Sequence, residues 1–350
     1  MKNKIDFVIA WVDGNDKKWQ EEKAKYSPQQ GTDSNVNRYR DWDNLRYWFR
    51  GVEKYAPWVN KIYFVTWGHV PEWLDVDNPK ICIVNHRDYM PEEYLPCFSP
   101  NPLELNFHRI EGLSEQFVYF NDDMFLTRPV KPTDFFENGL PKDCALESAV
   151  MQCDYRDPFS HMLINDIAFI NMHFEKSEVI RKYKRLWFSP KYGTDLIRNL
   201  IMSPYKKFAS FKYLHLPSPF LKSTYEAVWE AEPEILDTIC HNRFRGVFDV
   251  NQYVMRYWQY VTGQFIPQTP KMGRFFMVGY EAEESMEAIR KRKYPMICLN
   301  DDGVTEDNFE KIKSQIICAY QILRQILLRP LSYNILLLKN HILFLSQLLQ

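Results

Sequence analysis

The sequence predicts an α/β fold: a mostly parallel sheet flanked by helices. Two observations carry this. Short apolar runs alternate with segments of helical spacing through the N-terminal third, the pattern of strand–helix–strand units. Polar residues also follow the runs at equivalent places: Asp13, Asn85-His86 and Asn121-Asp122-Asp123. Parallel sheets keep their ligand sites at the carboxyl ends of the strands.

Taken in order, I-D-F-V-I-A-W-V-D-G (5–14) reads as a buried strand closed by the turn pair Asp13-Gly14. The polar stretch Lys17–Asn37 reads as a helix and a loop. Between Arg40 and Tyr55, the residues Trp42, Leu45, Trp48, Phe49 and Val52 recur at helical spacing. A helix across this span puts Arg40 and Asn44, four apart, on one face. Residues 61–66, 81–84 and 116–120 are the next three strands. Residues 151–270 form an aromatic-rich helical insertion, with helices at Val179–Phe188 and Gln252–Val261 and proline-marked loops near Pro204, Pro217 and Pro219. Phe309–Gln350 is amphipathic and leucine-rich.

The 350 residues carry a net charge of −1, so no global field favours nucleic acid. Aromatics reach 16%, which suits a carbohydrate or nucleotide site as well as an aromatic core. The cysteines at 82, 97, 144, 153, 240, 298 and 318 form no C-x-x-C pair and no zinc spacing. An odd, scattered set fits reduced thiols in a cytosol. The N-terminal apolar run is short and contains Asp6, unlike a signal peptide. No window has the apolar length of a membrane span.

There is no G-x-x-x-x-G-K-[ST], no G-x-G-x-x-G and no G-x-S-x-G. What remains is the acidic pair in V-Y-F-N-D-D-M-F-L (118–126). Carboxylates inside an apolar run are costly unless something positive meets them. A strand ending in Asn121-Asp122-Asp123 presents oxygens to a hard cation, Mg²⁺ or Mn²⁺, whose shell water and substrate phosphates complete. A second cluster, C-L-N-D-D-G (298–303), follows another apolar run and adds Asn300 and Asp301 as candidate ligands.

Four stretches together resemble the Stealth family of sugar-1-phosphate transferases. They are I-D-F-V-I-A-W-V-D-G-N-D (5–16), the span from R-Y-R-D-W-D-N-L-R-Y-W-F-R (38–50) through L-E-L-N-F-H-R-I-E-G-L-S (103–114) to F-N-D-D-M-F (120–125), H-L-P-S-P-F (215–220) with N-R-F-R (242–245), and C-L-N-D (298–301). The resemblance implies a Rossmann-like, GT-A-like catalytic domain over residues 1–310, with 311–350 as a helical tail. It implies transfer of a hexose-1-phosphate or N-acetylhexosamine-1-phosphate from a UDP-sugar to a hydroxyl of an oligosaccharide or polysaccharide, releasing UMP. By position it implies Glu104, Asp123, His215 and Arg245 as catalytic residues, and Asp13, Arg40, Asn44 and Arg109 as substrate-binding ones.

The residue types suit that chemistry. Phosphoryl transfer needs positioning and charge stabilisation above all. Asp122 and Asp123 would hold the metal against the diphosphate. Arg245 has a planar fork that matches phosphate oxygens. A histidine changes charge near neutral pH, which favours His215 as the base; Glu104 is the other candidate. An ordinary metal-dependent glycosyltransferase, releasing UDP, and a non-catalytic carbohydrate-binding module are the competing readings. The tail departs from the family pattern: no Pro-x-x-Ser-x-Phe-Glu stretch follows Asn308-Phe309-Glu310. Residues 315–350 are therefore expected either to pack on the domain or to touch the inner face of the membrane, where acceptors are lipid-linked.

Overall fold

The computed structural model describes residues 4–27, 39–151 and 158–328. In chain order it begins β1 (Ile5–Ala10), α1 (Lys17–Tyr26), α2 (Leu45–Tyr55), β2 (Ile62–Thr66), β3 (Ile81–Asn85), α3 (Pro100–Leu105), β4 (Gln116–Asn121) and β5 (Met124–Leu126). Next come α4 (Pro132–Phe135), β6 (Phe136–Glu137), β7 (Leu140–Asp143), α5 (Pro158–His173), α6 (Lys176–Trp187), α7 (Leu196–Met202) and β8 (Ser218–Leu221). The chain continues with α8 (Lys222–Ala231), α9 (Pro233–Cys240), α10 (Tyr253–Val261), β9 (Ile266–Pro267), β10 (Gly273–Met277), α11 (Val278–Lys291), β11 (Met296–Asn300) and α12 (Glu306–Leu328).

The expected α/β sheet is present. The main sheet runs β3-β2-β1-β4-β8, parallel except where β8 lies antiparallel to β4. Its inner strands are near-continuous apolar runs because helices cover both faces. Phe7, Val8, Ile9, Phe64, Val65, Phe117 and Val118 are fully buried. Asp6 is buried among them and fully satisfied. Its Oδ1 accepts from the Asn60 amide at 2.7 Å and from Lys61 N at 3.0 Å, and Oδ2 accepts from Ser114 N at 2.8 Å.

Asn121-Asp122-Asp123 is the hinge between two sheets. After β4 the chain turns at these residues and enters β5, which pairs antiparallel with β11 in the three-stranded sheet β10-β11-β5. Leu299 N donates to the Asp123 carbonyl at 2.8 Å, bringing the second acidic cluster beside the first.

The insertion packs its own aromatic core around Trp187, Phe208, Phe211, Tyr257 and Tyr260. Two buried ion pairs anchor it. Arg256 donates twice to Asp143, at 2.6 Å each, and Lys176 donates to Glu147 at 2.8 Å.

Two expectations change. The helix expected from Arg40 begins only at Leu45, so Arg40 lies in the preceding loop and Asn44 is the helix's N-cap residue. The acidic partners of Arg40 hold it outside the helix, as described below. Residue 310 falls within α12, which packs inward: Ile312, Ile316, Ala319 and Tyr320 join the main core, and the Tyr320 ring stacks on Tyr47 at 4.8 Å. Of the expected tail, residues 329–350 lie outside the described residues. Among the described residues, no helix is long and apolar enough to cross a membrane.

Candidate active site

The carboxyl ends of β1 and β4, the loop before α2, α3, the 213–215 and 245–253 segments and the end of β11 enclose a cleft of about 600 Å³. Residues separated by up to two hundred positions meet there: Glu104, Asp122, Asp123, His215, Arg245 and Asn300 all line it. So do Arg40, Asn44 and Asp301.

At its floor, Asp123 Oδ2 meets His215 Nε2 at 3.2 Å and accepts from the Asn300 amide at 3.4 Å. Its Oδ1 is buried with no hydrogen-bond partner. Enclosure by protein works to raise this carboxyl, but the His215 imidazole, then the Cys298 thiol and the Asn300 amide, outweigh it and hold Asp123 below the usual carboxylate value. Asp122 is exposed to the water of the cleft, with protein crowded around it. That enclosure, and then the Asp123 charge, pushes its carboxyl up to about 7.

His215 is held from several sides. Its Nδ1 lies 3.4 Å from the Tyr253 hydroxyl, and its ring stacks on Tyr213 at 5.0 Å. Its backbone takes φ +42, the left-handed region that a non-glycine residue seldom adopts. Such local strain concentrates where a side chain must be aimed. Here it turns the imidazole onto Asp123.

Glu104 sits on α3, whose first turn Ser99 caps by accepting from Asn101 N at 3.3 Å. Its Oε1 accepts from the Tyr119 hydroxyl at 2.9 Å, and Oε2 is buried without a partner. Burial pushes this carboxyl up to about 7. Arg245 enters the cleft from the opposite loop, with no carboxylate paired to it among the described residues. That loop is anchored through buried Asp249. Asp249 Oδ1 accepts from the Asn242 amide, and Oδ2 accepts from Gly246 N and the Asn101 amide, each at 2.9 Å.

Other expected site residues stand elsewhere or do other work. Both Asp301 oxygens are engaged, Oδ1 by Arg40 at 3.4 Å and Oδ2 by the Trp42 indole at 3.3 Å. Burial raises the Asp301 carboxyl to about 6 despite Arg40. Arg40 also pairs with Glu306 on α12, so α12 helps position this wall. Asp13 caps its own turn: its N–H donates to His69 Nε2 at 2.7 Å, and Oδ1 accepts from Asn15 N at 2.9 Å. It is not among the residues lining the cleft. Arg109 is also absent from the lining. It lies over the Trp229 ring at 5.0 Å and donates to Asn106 Oδ1 at 2.8 Å. Tyr253, Tyr213 and Asp249 went unread in the sequence. Their only signal was aromatic density near His215 and a carboxylate four residues after Arg245.

A divalent cation fits this floor. The cleft gathers several carboxylates against few cationic groups, and the free Asp123 Oδ1 has no other charge to meet. Asp123, His215 and the buried thiol of Cys298 also bring potential ligand atoms within 4.8 Å of one another. The carboxylates suit a hard ion; the thiol does not.

Known sequences place this geometry. Residues 3–31 match the family model for Stealth protein conserved region 1, and residues 38–143 match that for conserved region 2. The chain is 43% identical over 315 residues to the capsular polysaccharide phosphotransferase WcwK of Streptococcus pneumoniae, covering 89% of this chain and 94% of that one. The chain belongs to the Stealth family. It is 42% identical to the receptor polysaccharide phosphotransferase WefC of Streptococcus gordonii, covering 91% of this chain and 96% of that one. It is 41% identical to the exopolysaccharide phosphotransferase cps2G of Lactiplantibacillus plantarum, covering 91% and 93%. Among solved structures, a complex of the galactosyltransferase LgtC aligns at TM-score 0.38 and 10% identity over 88% of this chain and 95% of that one. In this Stealth protein, the motifs read in sequence as separate regions form the walls of one cleft.

Proposed function

We propose that this protein transfers a hexose-1-phosphate or N-acetylhexosamine-1-phosphate from a UDP-sugar to a hydroxyl of a growing polysaccharide. One observation supports this reading best: a base, an arginine with no carboxylate paired to it among the described residues and an acidic floor with an unpartnered carboxylate oxygen share one cleft. The relatives' names, all polysaccharide phosphotransferases, point the same way.

The acceptor oxygen attacks the phosphorus that carries the sugar. The bond from that phosphorus to the oxygen bridging it to UMP breaks, and UMP leaves with the electron pair. The acceptor's proton passes to His215. With Nε2–H donated to Asp123, the Nδ1 lone pair is left to receive it by way of the Tyr253 hydroxyl 3.4 Å away, which takes the acceptor's proton as it gives its own to Nδ1. Arg245 faces the phosphoryl oxygens, whose charge it balances in the transition state. Glu104, near half-protonated at neutral pH, holds a sugar or acceptor hydroxyl through its free Oε2. Asp122 and the unpartnered oxygen of Asp123 would hold Mg²⁺ or Mn²⁺, which would neutralise diphosphate charge. Asn300 steadies Asp123, while Asp301 keeps Arg40 in the wall. Work in the cytoplasm, at the inner face of the membrane on lipid-linked acceptors, completes the reading.

The decisive assay incubates the protein with a panel of UDP-sugars, an oligosaccharide acceptor and Mg²⁺ or Mn²⁺. The expected product gains a hexose plus a phosphate by mass, with UMP released. A gain of hexose alone with UDP released makes it an ordinary glycosyltransferase. No turnover of any donor leaves a carbohydrate-binding protein.

A further inference from the structure

Helix α7 has its polarity inverted. Asn199 is its fully inward residue, 1% exposed. The Asn199 Oδ1 accepts from Glu147 N at 2.7 Å, and its Nδ2 donates to the carbonyls of Ala145 at 2.8 Å and Trp187 at 2.7 Å. These bonds use the amide on both sides and fix the rotation of the helix about its axis. The apolar side chains are thereby turned to water: Ile197 is 54% exposed, Leu200 51% and Ile201 62%. Tyr205, just beyond the helix, is 62% exposed. A surface helix ordinarily does the reverse. Contiguous exposed apolar residues mark an interaction site.

The surroundings are basic. Helix α6 adjoins α7: its Lys176 Nζ donates to the Met202 carbonyl at 2.6 Å, and its Trp187 carbonyl takes the Asn199 amide. Its exposed residues include Arg181, Lys182, Lys184 and Arg185, and exposed Lys206 and Lys207 follow Tyr205. Setting aside Lys176, buried against Glu147, residues 175–207 hold eight lysines and arginines against three acidic residues, a local +5 in a chain of net −1, with Lys207 paired to exposed Glu175.

We infer that this face docks on an anionic lipid bilayer. The apolar side chains of α7 enter the acyl boundary, and the exposed lysines and arginines of α6 and of Lys206-Lys207 meet the headgroups. Charge separates this partner from the alternatives. A second copy would bring the same positive face against it. Residues 329–350 contain Arg329 and Lys339 and no acidic residue, so they offer no complement either. On this inference the membrane contact that the sequence offered as one of two expectations for 315–350 lies at α6, α7 and the segment to Lys207. Combined with the proposed function, docking here holds the cleft close to acceptors built on lipid.

The test uses the full chain in co-sedimentation with vesicles of phosphatidylcholine alone or mixed with phosphatidylglycerol. The wild type is expected to bind the anionic vesicles, less at high salt. The double substitution L200E/I201E removes binding. At roughly fivefold in affinity per basic residue, K206E/K207E lowers binding by roughly 25-fold or more. Both variants keep the wild-type circular dichroism and turn over a soluble acceptor as the wild type does. Absence of wild-type binding to anionic vesicles overturns the inference. So does L200E/I201E sedimenting like the wild type, which places the contact elsewhere, the C-terminal segment included. A wild-type dimer that L200E/I201E dissociates, with no vesicle binding, makes the face a self-interface and overturns it as well. If no protein transfers sugar phosphate, the proposed function fails, while the vesicle result still decides this inference.

Discussion

Glu104→Gln is expected to stabilise the fold while removing activity. Glu104 is 3% exposed, and burial lifts its carboxyl from 4.5 to about 7. A raised carboxyl means the folded state holds a proton that the unfolded state has released. Below the unfolded value both states are protonated and burial has no ionic cost. As pH rises from there to about 7 the unfolded chain binds fewer protons, so stability falls. Above about 7 both states are ionised and the full cost remains. At ~1.4 kcal/mol per pH unit, the buried charge costs on the order of 3 kcal/mol at pH 8. Glutamine never ionises, and its amide oxygen still accepts from Tyr119. The variant should match the wild type near pH 4.5 and exceed it at pH 8, its melting midpoint higher by roughly 5 °C. Melting by circular dichroism across pH 4.5–8, with UMP release measured in parallel, checks both halves. Transfer should fall by roughly 10²-fold or more, the trade of stability for function expected of a buried catalytic carboxylate. A variant that is less stable than the wild type at pH 8, or a stability difference that does not change with pH, would refute the reasoning.

Three further outcomes are expected. Asp123→Asn should abolish transfer with the circular dichroism unchanged, and EDTA should silence the wild type until Mg²⁺ or Mn²⁺ is restored; full activity in either condition removes the metal from the mechanism. His215→Ala should lower kcat by roughly 10²–10⁴ and leave UDP-sugar affinity nearly intact, measured by titration calorimetry beside turnover; if affinity falls and kcat holds, Glu104 is the base. Asp143→Ala leaves Arg256 as an uncompensated buried charge and should destabilise the protein by about 3–5 kcal/mol, read from urea unfolding, whereas loss of only a few tenths would mean that the insertion does not depend on this pair.

The local alphabet of the chain was legible. The strands at 5–10, 62–66, 81–85 and 116–121 are apolar runs, the three inner ones buried on both faces and 81–85 a half-buried edge, and polar residues close 81–85 and 116–121 directly. Asp122 and Asp123 stood out because carboxylates in an apolar run require a positive partner. What sequence spacing misjudged was decided by groups far along the chain. Arg40 looked like part of a helix because Trp42 and Leu45 carry the period. Asp301 and Glu306, more than two hundred and fifty residues later, hold it in a loop instead. Asp301 looked like a metal ligand, yet Arg40 and Trp42 occupy both its oxygens. Arg109 shares a short motif with Glu104 but points to Trp229, because successive positions of a tight helix face different ways.

The same division holds for the tail and for α7. Amphipathic spacing told that Ile316 and Tyr320 share a face, but not whether core or lipid would cover it. The surface left open by α2 and β5 settled that, and Tyr47 and Phe125 now cover Tyr320. In α7, for which the sequence offered no reading, the carbonyls of Ala145 and Trp187 claim Asn199 and leave Ile197, Leu200 and Ile201 facing outward. Hydrophobic period and residue chemistry are local properties, and the sequence by itself determined the strands, the acidic pair and the family. Which carboxylate oxygen has no partner, which arginine meets no carboxylate among the described residues and which apolar face meets water depend on groups distant in the chain, at the turn between β4 and β5 for the site and at Ala145, Glu147 and Trp187 for α7. Only the tertiary structure decided those.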